Sequence, residues 1–231
     1  MNNDYILKIS EASFLHNKGY YNEAIDTYDD ILELNRENAL IWYQKGNALY
    51  SIKRYEEAID CYDNALIINT EDEQIWYNKA LCMADLGNYK KAVECYNKSI
   101  EINPKYFEAW YNRGIDLSRM GKSKEALKSF NRAIKINPYS YKVWYNKGIL
   151  VGQQKNYREA IRCFNRAIKL NPDHSMSWYN KAIIFICQKK YDSALKCIDK
   201  SLKLNSDQAS AWYIRGLLLY GQCSEISGFS V

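Results

Sequence analysis

Residues 141–174 read YKVWYNKGILVGQQKNYREAIRCFNRAIKLNPDH, and the same arrangement of side chains recurs along most of the chain. The tryptophans show this best, because each lies 34 residues from the next: Trp42, Trp76, Trp110, Trp144, Trp178 and Trp212. Self-similarity at this period is typical of stacked helical hairpins. The spacing therefore predicts a repeat architecture in which each hairpin packs mainly against its neighbours.

The other side chains of the period follow the same spacing. Trp144 is followed by Gly148, Tyr157, Ala160, Phe164, Ala167 and Pro172, and the neighbouring periods vary this series only slightly. The pattern resembles the tetratricopeptide repeat family. The resemblance implies an all-α fold, a right-handed α-α superhelix (solenoid) of 34-residue helical hairpins. Three prolines, ten glycines and no alternating strand pattern agree with an all-α reading.

We place one solenoid over residues 1–223 and a non-repeat tail over 224–231. Its repeats span 5–38, 39–72, 73–106, 107–140, 141–174 and 175–208, with a partial repeat at 209–223. In each, a first helix of about fourteen residues is expected to begin three residues before the tryptophan. The second helix is expected to end at a recurring asparagine in the left-handed conformation. These asparagines are Asn35, Asn69, Asn103, Asn137, Asn171 and Asn205.

Three columns of side chains are predicted to be structural. The tryptophans and the Gly/Ala residues four positions later are expected to be buried between helices. Cysteines share one repeat position in four hairpins: Cys61, Cys95, Cys163 and Cys197. Equivalent positions in stacked hairpins lie roughly 10 Å apart, too far for a disulfide. We therefore expect a column of small, reduced, partly buried thiols.

The two ends depart from the repeat pattern. Lys8 stands where tryptophan is expected and Glu11 where other repeats carry Lys or Arg, so the first helix is predicted to present a polar capping face. At the other end, residues 212–220 begin a seventh hairpin and residues 224–231 break the pattern. This predicts an adhesive C-terminal end unless the tail covers it.

Catalytic, cofactor, metal and membrane functions have little support. The two histidines, His16 and His174, occupy non-equivalent positions, and no phosphate-binding glycine motif or Cys/His cluster is present. We expect a non-enzyme with no cofactor and no metal ligands. No stretch has the apolar length of a membrane span and no secretory signal is visible, so the expected location is the cytoplasm.

Binding is expected on the first helices, which in the resembling family line the concave side of the superhelix. The residue after each tryptophan is tyrosine, the next is asparagine in four repeats, and an aliphatic residue follows on the same helical stripe. The predicted peptide-binding residues are Tyr77, Asn78, Tyr111, Asn112, Ile115, Tyr145, Asn146, Ile149, Tyr179, Asn180 and Ile183. Asparagine carries donors and an acceptor for a peptide backbone. A similar asparagine ladder lines the repeat domain of the O-GlcNAc transferase family. Equally, these asparagines have a structural interpretation, bonding neighbouring repeats.

Alternatives to a peptide-binding scaffold remain. A clamp for chaperone C-termini is disfavoured, because no repeat supplies the lysine after tryptophan that such family members carry. Residues 1–72 have a net charge of −8 and residues 73–231 a net charge of +13. Opposite charges on the two parts favour a homo-oligomer as the second hypothesis. The basic second helices also permit an acidic partner, with nucleic acid the weakest alternative.

Overall fold

The computed structural model describes residues 3–220, and the statements below concern that range. It contains thirteen α-helices and no strand within those residues. The helices are α1 Asn3–Lys18, α2 Tyr21–Leu34, α3 Ala39–Ser51, α4 Tyr55–Ile68, α5 Glu73–Asp85, α6 Tyr89–Ile102, α7 Phe107–Arg119, α8 Ser123–Ile136, α9 Tyr141–Gln153, α10 Tyr157–Leu170, α11 Ser175–Cys187, α12 Tyr191–Leu204 and α13 Ala209–Leu219. The all-α helical-repeat class is confirmed. Helices α3, α5, α7, α9, α11 and α13 each begin three residues before a tryptophan, as predicted.

The chain divides into two compact units, residues 1–122 and 123–231, which are described separately. In the first unit, the largest fully buried side chains come from the second helix of each hairpin: Tyr28, Tyr62 and Tyr96. In the second unit, the same repeat position holds Phe130, Phe164 and Ile198, also buried. Burying a side chain of this size contributes roughly 1.5–3 kcal/mol, so this column forms the centre of each core.

The glycine four residues after tryptophan admits this aromatic ring. A Cβ atom on Gly46 would lie 2.6 Å from a ring carbon of Tyr62, and one on Gly148 would lie 2.8 Å from Phe164. Both distances are shorter than van der Waals contact allows. The Gly/Ala column therefore provides the close helix–helix approach that the sequence predicts.

The tryptophans are less buried than predicted. They are half-buried, and Trp212 is 51% exposed. Each indole Nε1 donates to the carbonyl six residues earlier, in the segment that joins successive hairpins, at 2.8–3.1 Å. Because a buried indole N–H needs an acceptor, this hydrogen bond holds the ring at the edge of the core. The column thus ties each connecting segment to the next first helix.

Five of the six asparagines that end the second helices are extended and none of the six has a positive φ, so the predicted left-handed conformation is wrong. Asn35 has φ −152° and Asn103 has φ −125°. In all six, the side-chain Oδ1 accepts from the backbone N–H two residues later, at 3.0–3.2 Å. This Asx-turn competes with a further helical turn and stops the helix.

Left-handed residues occur instead where the first helix of a hairpin meets the second. Gly19, Gly87 and Gly121 adopt φ between +74° and +83° there. Lysine takes the same conformation, with φ between +57° and +63°, in three other turns: Lys53, Lys155 and Lys189. A residue with a Cβ atom is strained at these angles, whereas glycine is not.

The first helix exposes more apolar surface than predicted. Lys8 is partly exposed and pairs with Asp30 at 2.7 Å. However, the side chains of Ile6, Leu7 and Phe14 are each more than half exposed. The exposed surface of the first helix is therefore apolar at these three positions, and the predicted polar capping face is wrong there. At the other end, α13 exposes Tyr213 and Leu219 among others. The predicted tail, residues 224–231, lies outside the described residues.

The cysteine column agrees with the prediction. Cys61, Cys95, Cys163 and Cys197 are buried and unpaired. Burial raises the pKa of the Cys61 thiol to about 11 and that of the Cys163 thiol to about 12. These thiols are therefore protonated near neutral pH and act as small apolar side chains.

Candidate functional site

Some of the predicted binding residues form hydrogen-bonded pairs on the first helices of each unit. In each unit, we call the tyrosine, asparagine and aliphatic positions named above its first-helix face. Asn112 Nδ2 donates to the hydroxyl of Tyr77 in the preceding repeat at 2.9 Å. Asn180 Nδ2 donates to the hydroxyl of Tyr145 in the same way, at 2.9 Å. Part of the ladder therefore links neighbouring repeats within each unit, as its structural interpretation predicts.

Asn78 and Asn146 differ in detail. Asn78 Nδ2 reaches two acceptors, the hydroxyl of Tyr43 at 3.1 Å and Oδ1 of Asn47 at 2.9 Å. Asn146 Nδ2 donates to the backbone carbonyl of Lys142, one turn earlier in its own helix, at 3.0 Å. An asparagine side chain has two N–H donors and a carbonyl acceptor, so one such bond does not exhaust its capacity.

The tyrosines of this face are packed against other aromatic rings. Tyr77 lies 5.0 Å from Tyr106 and 6.0 Å from Tyr96, measured between ring centroids. Tyr145 lies 4.8 Å from His174 and 6.2 Å from Phe164. Burial raises the pKa of Tyr77 to about 12. These phenols stay protonated at neutral pH, and their rings are held in fixed orientations.

Accessibility differs along the face. Of the predicted residues, nine are half-buried, namely Tyr77, Asn78, Tyr111, Asn112, Ile115, Tyr145, Asn146, Ile149 and Tyr179. The other two are buried, with Asn180 7% and Ile183 3% exposed. A ligand would therefore meet partly exposed aromatic, amide and aliphatic groups in each unit. Asn180 and Ile183 present little surface of their own.

The histidines serve the packing of their units. Nδ1 of His174 lies 2.7 Å from the hydroxyl oxygen of Ser177, and Nδ1 of His16 lies 3.4 Å from that of Tyr28. Burial lowers the pKa of both imidazoles. Between residues 3 and 220, no group of three His, Cys, Asp or Glu side chains is arranged to hold a metal ion. No helix in that range has the length and apolar character to cross a membrane.

Helices α2 and α4 of the first unit and helices α8, α10 and α12 of the second unit have outer surfaces of opposite charge. In the second unit, exposed lysines and arginines recur on α8, α10 and α12: Lys128, Arg132, Lys135, Arg162, Lys169, Lys196, Lys200 and Lys203. In the first unit, α2 and α4 carry Glu23, Asp26, Asp29, Asp30, Glu33, Glu56, Glu57, Asp60 and Asp63 and no basic residue. Each surface attracts a partner of the opposite charge.

Comparison with known sequences identifies the repeats. Profiles of the tetratricopeptide repeat match residues 9–38, 39–72, 73–106, 107–140, 141–174 and 175–208. Together these matches cover most of the chain. The chain belongs to the tetratricopeptide repeat family. Tetratricopeptide repeats typically form non-catalytic scaffolds and support a role in protein interaction for this chain.

Solved structures share the fold of this tetratricopeptide repeat protein. A repeat protein from Parabacteroides merdae ATCC 43184 is 24% identical, with a TM-score of 0.78, and the match covers 97% of this chain and 90% of that one. YrrB, described as a tetratricopeptide repeat protein with an unusual peptide-binding site, is 22% identical, with a TM-score of 0.72 and coverage of 82% and 98%. PilF of Pseudomonas aeruginosa is 14% identical, with a TM-score of 0.76 and coverage of 92% and 96%. No curated protein matched the sequence.

Two features of this tetratricopeptide repeat chain were not predicted from its sequence. Asp116 is a buried carboxylate at a position that is apolar in the neighbouring repeats, such as Leu150 and Ile184. Ile67 is 80% exposed at a position that is charged in the other repeats. Aligning the repeats by their tryptophans and looking for reversals of polarity would have found both.

Proposed function

We propose that the chain is a non-catalytic scaffold that holds an extended peptide segment of another protein along its first-helix face. One observation carries this proposal. Tyrosine and asparagine side chains, most of them half-buried, recur on the first helices, and Asn78, Asn112 and Asn180 are held in place by hydrogen bonds to the preceding repeat. Side chains that are already oriented lose less conformational entropy when a ligand binds.

The chemistry of this face suits a peptide backbone. An extended peptide presents alternating N–H and C=O groups, and an amide ladder supplies acceptors and donors for both. Tyrosine adds contact area and a polar tip at a small entropic cost. The aliphatic residues Ile115 and Ile149 would receive apolar side chains. The concave groove implied by the family resemblance belongs to the same proposal, and so does a cytoplasmic location.

Random peptide display on the purified protein tests the proposal. Peptides of about twelve residues would be selected on the wild type, and their affinities compared with those for Asn112→Ala and Asn146→Ala, one variant in each unit. We expect at least one of the variants to weaken the selected peptides about tenfold. The matched controls are Asn22→Ala and Asn165→Ala, which remove exposed asparagines from second helices and should change affinity less than twofold.

Structural and ligand-binding roles of Asn112 are separated by a second variant. Tyr77→Phe removes the hydroxyl that accepts the Asn112 amide while keeping the amide itself. Either change should lower the free energy of unfolding by about 0.5–1.5 kcal/mol. If Asn112→Ala weakens peptide binding and Tyr77→Phe does not, the amide contacts the ligand. Equal binding by all variants would refute the peptide-binding role.

A second candidate is self-association, and the exposed apolar side chains of α1 and α13 favour it. Leu7 is 66% and Phe14 59% exposed on α1, while Tyr213 is 53% exposed on α13. Light scattering over protein concentration and ionic strength tests this candidate. We expect the charge-driven part of any association to weaken as salt rises. A constant monomer mass at all concentrations would exclude it.

A further inference from the structure

A cleft opens in the first unit between the C-terminal halves of α2 and α4. Its volume is about 910 Å³, and it is bounded by the segment between α2 and α3 and by the start of α3. The lining residues are Asp29, Leu32, Glu33, Arg36, Glu37, Trp42, Asn64, Ile67 and Ile68. None of them belongs to the first-helix face, so this is a separate surface.

Ile67 is an apolar residue at a repeat position that is otherwise charged. The equivalent positions in the other repeats carry charged side chains: Glu33, Glu101, Lys135, Lys169 and Lys203. Ile67 is nevertheless 80% exposed, and its neighbour Ile68 is 41% exposed. Leaving an isoleucine in water forgoes the stabilisation that its burial would give. An apolar residue at a position that elsewhere keeps a charge in water makes this side chain available for contact with a ligand.

Trp42 presents apolar surface to the same cleft. Its indole Nε1 is committed to the carbonyl of Arg36 at 2.9 Å, and Lys45 stands over the ring at 5.8 Å from its centroid. Since the polar atom of the indole is already bonded, the part that lines the cleft acts as a hydrophobic wall. Together with Ile67 it can receive one bulky apolar side chain.

Acidic side chains surround this apolar wall. The carboxylate of Asp29 is bonded to Lys45. Glu33 and Glu37 are exposed, and among residues 3–220 neither is in an ion pair. Within residues 3–220, Arg36 is the only basic residue that lines the cleft. The carboxylates of α2 and α4 add to a negative field that favours a cationic ligand.

The next repeat provides an internal comparison. The equivalent cleft, lined in part by Trp76, Lys98 and Glu101, has a volume of about 350 Å³. There the position of Ile67 is taken by Glu101, which pairs with Lys98 at 2.9 Å. Two charges of that cleft, Lys98 and Glu101, therefore pair with each other, while Glu71 also lines it. No exposed isoleucine stands at the position of Ile67. The acidic and apolar combination belongs to the first cleft and does not follow from the repeat itself.

We propose that this cleft binds a basic segment of a partner protein, in which lysine or arginine residues flank one bulky apolar side chain. The apolar side chain packs against Trp42 and Ile67, and the flanking cations pair with Glu33 and Glu37. Exposed ion pairs are individually weak, so the apolar contact supplies affinity and the carboxylates supply selectivity.

A fluorescein-labelled peptide, Gly-Lys-Arg-Leu-Lys-Arg-Gly, tests the proposal by fluorescence anisotropy at low ionic strength. A reference peptide carries serine in place of leucine. We expect the serine peptide to bind about fivefold to tenfold more weakly than the leucine peptide. Ile67→Gln should remove most of that difference, since it removes the apolar contact from the protein side. Because Ile67 is exposed, this variant should fold normally.

Charge reversal tests the carboxylates against a matched control. The double variant Glu33→Lys/Glu37→Lys should weaken the leucine peptide at least tenfold. Glu56→Lys/Asp60→Lys changes the net charge equally at exposed positions on α4 outside the cleft, and it should weaken binding less than threefold. Asn112→Ala on the first-helix face should have no effect, so the two proposals can fail independently.

Three results would overturn the proposal. Equal weakening by both double variants would mean that the peptide senses only overall charge. Equal binding of the leucine and serine peptides would show that Ile67 and Trp42 make no apolar contact with the peptide. If neither peptide binds while sedimentation shows self-association that is abolished by Glu33→Lys/Glu37→Lys, the occupant is a second copy of the chain.

Discussion

Hairpins α3–α4 and α9–α10 share one packing geometry but differ in polarity at its centre. In both, a glycine brings the first helix against a buried ring, Gly46 on Tyr62 and Gly148 on Phe164. In the first unit, the Tyr62 hydroxyl donates to Oδ1 of Asn47 at 2.8 Å. In the second unit, the position of Asn47 holds Ile149, which packs against the cluster of Phe164. The same backbone geometry thus accommodates either a tyrosine whose hydroxyl has a hydrogen-bond partner or a phenylalanine that packs against an apolar side chain.

This difference shows which properties the repeat requires. The pairing of a small residue with a large ring fixes how closely the helices approach, and it is kept in both hairpins. The polarity at the tip of the ring varies, provided that a buried polar atom finds a partner. Asp116 departs from this condition, because Oδ2 is buried without a hydrogen-bond partner while Oδ1 pairs with Arg119 at 3.2 Å.

Exchanging the ring hydroxyl between the hairpins gives the largest expected effect. Phe164→Tyr places a hydroxyl opposite Ile149, where no acceptor replaces Asn47, and should lower the free energy of unfolding by about 1–3 kcal/mol. Tyr62→Phe should cost less, about 0.5–1.5 kcal/mol, because Asn47 still accepts from Asn78. Urea denaturation measures both. Adding Ile149→Asn to Phe164→Tyr should recover part of the loss; no recovery would mean that volume, not hydrogen bonding, causes it.

Asp116→Asn tests the cost of the buried carboxylate. Burial raises the pKa of Asp116 to about 6 from its ordinary 3.8. The folded state therefore holds the proton more tightly than the unfolded state, and stability is lost as the pH rises through about 6. Removing the charge should stabilise the protein by about 1–2 kcal/mol at pH 7, after allowance for the exposed, solvent-screened Arg119.

The pH dependence distinguishes this cause from a change in packing. At pH 4 the aspartate is largely protonated in the folded state, so Asp116→Asn should have little effect there. Thermal unfolding of both proteins from pH 4 to 8 measures the difference. Asp60→Asn, at an exposed position, serves as the control and should show no such trend. A constant advantage at every pH would contradict the titration argument.

Features that recur in every hairpin could be predicted from the sequence, whereas contacts that differ between hairpins could not. The 34-residue spacing of tryptophan predicted the helices and their starts, because hydrophobic periodicity determines helix placement. It predicted more burial than the tryptophan has, although Trp42, Trp76 and Trp178 do pack against the cores. The indole N–H requires an acceptor, and the carbonyl that provides it, such as that of Arg36, lies in an irregular segment whose path follows from packing.

The candidate site was predictable in composition but not in contacts. The sequence placed Tyr77 and Asn112 on one face, yet left open whether the asparagine serves a ligand or a neighbouring repeat. Their hydrogen bond joins residues 35 positions apart, and its distance depends on how the hairpins stack. The left-handed turns were missed for a similar reason, since Lys155 carries no sequence signal for a conformation that glycine adopts more readily.

Substitutions in those left-handed turns are expected to change the free energy of unfolding least. Lys155→Gly should raise the free energy of unfolding by about 0.5–1 kcal/mol, because it relieves a left-handed residue at φ +60°. Gly87→Ala should lower it by a similar amount, and purely through the backbone, since a Cβ there meets nothing within 4 Å. Urea midpoints at constant m-value measure both. Lys155→Ala is the control, because it removes the charge and keeps the backbone strain. If it stabilises the protein as much as Lys155→Gly does, the gain comes from relief of surface charge repulsion and not from the backbone.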